Sequence, residues 1–222
     1  MNEYGTLFIP NDASYIRCDY LGTLDTLARP LLFVTGSRRT SSEGITLANR
    51  VCDIATDASI AVVSTLSQGI GAAVAKRVTD NGGDLIAITA TPLGTSPYKP
   101  AAPYLRRAKF VISANTDKLF AKASIDARNQ LLRFLAPPTI VIKATPLSSM
   151  VTFARDISHA GVPVAAFPGS VLDYSSAGPN SLIQSGDAEP LLSDTDVIDF
   201  IDNILDSTQE HAFITYRKTY FV

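Results

Sequence analysis

Tryptophan is absent from this 222-residue sequence, and cysteine, histidine and methionine occur only twice each. Two cysteines, Cys18 and Cys52, are too few for a disulfide framework and have no metal-ligand spacing, so a reducing compartment is expected. Two histidines, His159 and His211, exclude a histidine-rich zinc site and give a histidine-based mechanism little to draw on. No apolar run reaches membrane-spanning length, and the first residues carry polar and acidic interruptions in place of a basic start followed by an apolar stretch. The expectation is a cytoplasmic protein with no membrane partner. The Walker pattern GxxxxGK[ST] occurs nowhere, and no glycine cluster fits GxGxxG in register, so the dinucleotide signal is weak.

What is present suits a soluble fold: 46% of residues are hydrophobic and 18% charged. The length fits one domain, since domains run from about 50 to 250 residues, with residues 1–29 as an N-terminal extension and 206–222 as a C-terminal tail. A formal charge of -2 and a pI near 5.6 argue against a wholly basic surface that wraps nucleic acid.

From Leu31 onward short apolar runs alternate with longer segments of helical period. Strands are predicted at 31–35, 59–64, 84–89, 109–114, 139–144 and 162–167. Helices are predicted at 42–57, 69–81, 118–135 and 148–160, with a short one at 104–108 and an amphipathic one at 194–205. Four prolines between Thr91 and Tyr104 mark a loop. Gly178 to Asn180 read as a turn. The repeated strand and helix order predicts parallel pairing with right-handed crossovers, and strands apolar along their whole length fit burial under two helix layers. The fold class is therefore α/β, a Rossmann-like three-layer fold with a mostly parallel sheet of about six or more strands. The tail HAFITYRKTYFV reads equally as an added strand, an exchanged arm or a disordered end.

Charge is unevenly spread. Residues 99–143 hold nine basic and two acidic groups, whereas residues 144–222 hold three basic and ten acidic. Lys99, Arg106, Arg107, Lys109, Lys118, Lys122, Arg128, Arg133 and Lys143 could form one positive face for phosphates, line solvated helix faces, or pair with the acidic C-terminal segment.

Three loops follow predicted strands, at the edge where such sheets gather ligands. Gly36, Ser37, Arg38 and Arg39 offer backbone N–H groups, a hydroxyl and guanidinium donors to a phosphate, or form an ordinary tight turn. Gln68, Gly69 and Gly71 open the second helix, where the glycines permit close backbone approach or merely pack; Lys76 lies further along it. Residues 167–188, with Gly169, Ser170 and Asn180, wall a site or serve as a crossover. Ser148, Ser149 and Thr152 offer hydroxyls to the same edge. Carboxylates are scarce there, Asp173 being the nearest, and no serine has a histidine base by sequence logic, so binding is favoured over catalysis. No catalytic residue, metal or cofactor is assigned.

At these loops the sequence resembles the DprA/Smf family of DNA-processing proteins, over approximately Gly22 to Ile201. GSR (36–38) looks like the motif after that family's first strand, and STLSQGIGAAVAKRV is similar to its SGxAxGIDxxAH segment. DARNQLL (126–132) resembles RNRII, SSMVT (148–152) resembles SGSLIT, and GVPVAAFPGSVLDYSSAGPNSLIQSGDA matches best. Gly71 and Val74 stand where the family has Asp and His, Thr65 where it has glycine, and Gln68 where it has arginine. The length suits the Rossmann core without the helical and winged-helix domains of many members. The resemblance implies single-stranded DNA binding, a homodimer, and loading of a RecA-type recombinase during natural transformation. Carried over, Gly36, Ser37 and Arg38 would contact phosphate, and Arg128 with Asn129 would support the site or its partner surface. The pocket substitutions also motivate a noncatalytic nucleotide-binding alternative. A nucleotide-hydrolysing enzyme of the same superfamily is a further alternative, lowered by the absence of PGGxGTxxE.

Overall fold

The computed structural model describes residues 3–11, 14–95, 98–114 and 122–210. Strands β1 (Tyr4–Asn11) and β2 (Ser14–Leu21) form an antiparallel hairpin from the N-terminal extension. Then come β3 (Leu31–Thr35), helix α1 (Ser42–Asp57), β4 (Ala61–Ser64), α2 (Ile70–Asp80) and β5 (Leu85–Thr89). A 3-10 turn at Lys99–Ala101 leads into α3 (Ala102–Leu105) and β6 (Phe110–Ser113). The second half holds α4 (Lys122–Leu135), β7 (Thr139–Val141), α5 (Ser149–His159), β8 (Val164–Ala166), α6 (Ala177–Gln184), β9 (Glu189–Pro190) and α7 (Asp194–Glu210).

The nine strands among the described residues join one sheet in the order β1-β2-β6-β5-β4-β3-β7-β8-β9. The strands from β3 to β9 pair in parallel. The hairpin attaches antiparallel to β6, where Tyr20 stacks on Phe110 with ring centroids 5.5 Å apart. β3 to β8 are buried from end to end because helices cover both faces. α1, α2, α3 and α7 pack one side around Leu32, Val62, Val74 and Phe200, while α4, α5 and α6 pack the other around Phe33, Phe110, Leu131 and Phe153. The expected Rossmann-like three-layer class is thus the observed one.

Local sequence explains the helix ends. Ser41 caps α1 by accepting from the Gly44 N–H (3.3 Å). Asp196 accepts from the Ser193 N–H (2.7 Å) while the Ser193 hydroxyl accepts from the Asp196 N–H (3.3 Å), a reciprocal box that starts α7. Val197, Phe200, Ile201 and Ile204 then repeat at helical spacing on the buried face.

Three expectations change. Gly178 to Asn180 lie inside α6, with Pro179 in the first turn, where a missing N–H leaves no intrahelical bond unmade. The short helix is Ala102–Leu105, and residues 106–108 leave it through turns. α7 runs on to Glu210, past the predicted end. The tail HAFITYRKTYFV and Lys118 lie outside the described residues. No helix among the described residues is long and apolar enough to cross a membrane.

Candidate functional site

From β3 the chain steps outward through β4, β5 and β6, then returns to place β7 on the other side of β3. The loops leaving β3 and β7 therefore diverge and open a crevice at the point where strand order reverses. One residue ties its walls. The Ser37 N–H donates to the Lys143 carbonyl oxygen (2.5 Å), and the Ser37 carbonyl accepts from the Ile70 N–H (3.1 Å) at the start of α2.

This close approach demands glycine. A Cβ on Gly36 would lie 2.7 Å from the Lys143 carbonyl oxygen, and one on Gly69 only 2.3 Å from that of Ser37. Gly69 also holds φ 77 and ψ -126 as the N-cap of α2, a conformation closed to L side chains. Gly71 is a packing position: a Cβ there would meet Ser67 Oγ at 2.7 Å, and its carbonyl accepts from the Ser64 hydroxyl at 2.8 Å.

Arg38 and Arg39 are exposed at the crevice mouth and join no ion pair among the described residues. The Ser37 hydroxyl is occupied locally, donating to the Arg39 carbonyl (2.6 Å) and accepting from its N–H (3.2 Å), so it shapes the turn. Arg128 reaches the site from α4 in the opposite helix layer. It is buried, and its Nη2 and Nε donate to Asn129 Oδ1 at 2.7 and 3.2 Å. Burial first, and then the charge of Arg38, bring its pKa down to about 10, so it remains a cation at neutral pH. The two guanidinium charges from two layers repel each other, and an anion docking at Arg38 would relieve that repulsion.

Lys143 lies beneath this mouth with a side chain only 5% exposed. Its ammonium donates to Asp173 Oδ2 and Ser176 Oγ, both at 3.0 Å, and pairs with Glu43 Oε2 at 3.2 Å. Burial opposes its charge, but the hydrogen bonds to Asp173 and Glu43 outweigh that and hold its pKa above the ordinary lysine value. Asp173 is held well below the usual carboxylate range by the Ser175 hydroxyl, then by Lys143 and the Ser175 N–H. Further hydrogen bonds hold the start of the 167–188 segment and the helix that follows it. Asn180 accepts from the Gly169 N–H and donates to the Gly169 carbonyl, both at 3.0 Å. Ser170 accepts from the Leu172 N–H (3.2 Å), and Ser148 caps α5 through the Met150 N–H (3.2 Å). Ser149 and Thr152 stay exposed on that first turn.

From Arg38 an open groove of about 860 Å³ runs over α2. Gly69, Ala72, Ala73 and Lys76 form a stripe along its floor, Ile45 and Asn49 of α1 one wall, and Tyr98, Pro100 and Tyr104 the other, with Gln68 near its mouth.

Strand direction separates the remaining candidates from this edge. Arg106, Arg107 and Lys109 precede β6, so they lie at the opposite end of the sheet, where Lys109 donates its N–H to the Leu85 carbonyl (2.9 Å). Arg107 pairs there with Asp80 (2.7 Å) at the end of α2. Arg133 pairs with Asp156 (2.7 Å), and Lys143 is buried. Among the described residues the basic middle segment therefore forms no single face. Lys122 opens α4, but its side chain lies outside the described residues. Phe110 is buried in the core.

Glu43 was not singled out by sequence reasoning, and Lys143 was named only as one of the basic residues of the middle segment. The available signal was a lysine closing the apolar run TIVIKA at the ligand-bearing edge. Glu43 gave none, because only the fold brings the first turn of α1 above β7.

Residues 13–202 match the family described as DNA recombination-mediator protein A. The DNA processing protein DprA of Streptococcus pneumoniae (strain ATCC BAA-255 / R6) is 33% identical over 186 residues, which cover 81% of this chain and 64% of that protein. An X-ray structure of DprA from Streptococcus pneumoniae aligns with a TM-score of 0.75 at 29% identity, over 82% of this chain and 65% of that one. A structure of DNA processing protein A from Helicobacter pylori, described for its single-stranded DNA binding mode, aligns with a TM-score of 0.78 at 18% identity, over 92% and 97%. The chain thus spans a little under two thirds of the length of its pneumococcal relative.

Proposed function

We propose that this chain, which belongs to the DNA recombination-mediator protein A family, binds single-stranded DNA without regard to sequence at the crevice between β3 and β7. The observation that carries this reading is the exposed guanidinium of Arg38 at the crevice mouth, reinforced by buried Arg128 and continuous with the groove over α2. Donors of this kind grip phosphate oxygens, which every sequence offers alike. A groove that continues past the first phosphate suits a polymer better than one small ligand. The track runs from Arg38 and Arg39 past Gln68 towards Lys76; Arg106, Arg107 and Lys109 have no part in it. Lys143 supports the crevice from below, its charge shared with Asp173 and Glu43. The family resemblance extends the proposal to a cytoplasmic homodimer that passes the strand to a RecA-type recombinase during transformation.

The test is a salt titration of binding to labelled single strands of increasing length, for the native chain and Arg38→Ala. Affinity should rise with length until the track is filled, and its logarithm should fall linearly with the logarithm of salt concentration as counterions are released. Arg38→Ala should weaken all sequences similarly, by about 1.5–3 kcal/mol for one charge-assisted hydrogen bond. Binding indifferent to both length and the substitution overturns the reading.

A further inference from the structure

We infer that the outer edge of β1 is a docking site for a second copy of this chain, whose residues 211–222 add to the sheet as a further strand. β1 stands at the end of the strand order, so no strand lies beside its outer edge among the described residues. The Gly22 N–H donates to the Glu3 carbonyl (2.9 Å) in a one-to-one antiparallel register, so Gly5, Leu7 and Ile9 bond towards β2. Alternation then turns the main-chain groups of Tyr4, Thr6 and Phe8 outwards. The strand is eight residues long and carries no charge, and Pro10, with no N–H, blunts only its far end. Such an edge is a template for strand addition. Leu7, Ile9, Ile16 and Cys18 pack towards the core. The opposite face of the hairpin is open, with Tyr4 66%, Phe8 65% and Tyr15 70% exposed. A strand added to β1 extends that face, where aromatic and β-branched residues pair favourably across strands.

Composition and charge select the occupant. Eight of the twelve residues in HAFITYRKTYFV are β-branched or aromatic and none is proline or glycine, which suits a strand. Its charged side chains are Arg217 and Lys218, whereas residues 1–22 hold three acids and one base. Opposite charge draws this segment to the hairpin; a second hairpin would bring like charge, and a nucleic acid is itself an anion.

Reach places the segment on another copy. α7 packs against α1 and follows β9, which lies at the opposite end of the sheet from β1. Lying outside α1, α7 comes no nearer to β1 than β7 does, six strand spacings away, or about 29 Å. Twelve extended residues span about 40 Å, so a segment crossing its own sheet keeps about three residues to pair with β1. A segment from a second copy has no such distance to cross, and reciprocal exchange closes the pair.

The inference deepens the homodimer part of the proposal above and is tested with no nucleic acid present, so its failure leaves the single-strand reading standing. The full chain is prepared with exposed Phe8 replaced by the photoreactive p-benzoylphenylalanine, in light-nitrogen and heavy-nitrogen forms. Equal amounts are mixed, irradiated and digested, and the cross-linked peptides are identified by mass. Cross-links should join position 8 to residues 211–222, with mixed-isotope pairs as abundant as like-isotope pairs. Arg217→Glu combined with Lys218→Glu, both beyond α7, should lower the yield about tenfold at low salt. Cross-links confined to like-isotope pairs assign the edge to the chain's own segment and overturn the inference. Cross-links to a second hairpin, none to residues 211–222, or a yield indifferent to the charge reversal overturn it as well.

Discussion

The Ser37 N–H meets the Lys143 carbonyl oxygen at 2.5 Å, which joins the loop after the central strand to the loop after the strand that returns beside it. The crevice is therefore held open by backbone geometry, and the side chains around it are positioned by peptides that cannot move independently. Substitutions that disturb this contact act on both loops at once.

Gly69→Ala is the sharpest such change. Its Cβ would fall within 2.3 Å of the Ser37 carbonyl oxygen, in a backbone conformation that L residues avoid. We expect a loss of about 2–3 kcal/mol in folding stability, read from the shift in denaturant midpoint. Single-strand affinity should fall with it, since Arg38 is the next contact of that same Cβ.

The two edges of the sheet make opposite predictions. Arg106→Ala and Lys109→Ala should leave single-strand affinity within about twofold of the native value, since exposed residues outside the contact surface contribute within about 0.5 kcal/mol. Arg107→Ala should likewise spare binding while reducing stability, because it removes the pair with Asp80 and the bond to the Thr79 carbonyl. Parallel anisotropy and unfolding measurements separate these effects, and a strong loss of affinity in Arg106→Ala or Lys109→Ala would contradict the assigned edge.

The Asp173 carboxylate predicts a pH dependence. Its folded-state pKa lies below the ordinary value of 3.8, so its contribution is complete above that value and is lost as pH falls towards the folded-state pKa. The stability difference between the native chain and Asp173→Asn should be constant from neutral pH to about pH 5 and should narrow below about pH 4. Unfolding curves across that range check the sign; a difference that widens in acid would contradict it.

Both thiols should be unreactive in the folded chain. Burial, then the charge of Asp19, pushes the Cys18 thiol up to about 12, and burial first, with Asp53 adding and Arg77 opposing, raises that of Cys52. A thiol-reactive dye should label neither in native buffer and both after unfolding.

The sequence by itself determined the parallel core. LLFVT, AVVS and LIAIT are apolar up to a closing hydroxyl residue, and a strand with no polar face must be covered on both sides. It also determined α1, whose periodicity over 42–57 coincides with the observed Ser42–Asp57, and the glycine-bearing loops that follow the strands. Part of the edge assignment was legible too, because Arg106 and Arg107 precede the strand predicted at 109–114 whereas Arg38 follows one. Tertiary structure alone decided that residues 4–21 pair beside β6, that α4 brings Arg128 within the field of Arg38, and that Lys143 is enclosed by Glu43 and Asp173. Periodicity reports only neighbours along the chain, over a turn of helix or a few residues of strand. These three arrangements join residues separated by 30 to 100 positions, and they follow from the strand order, which is settled when the whole core packs.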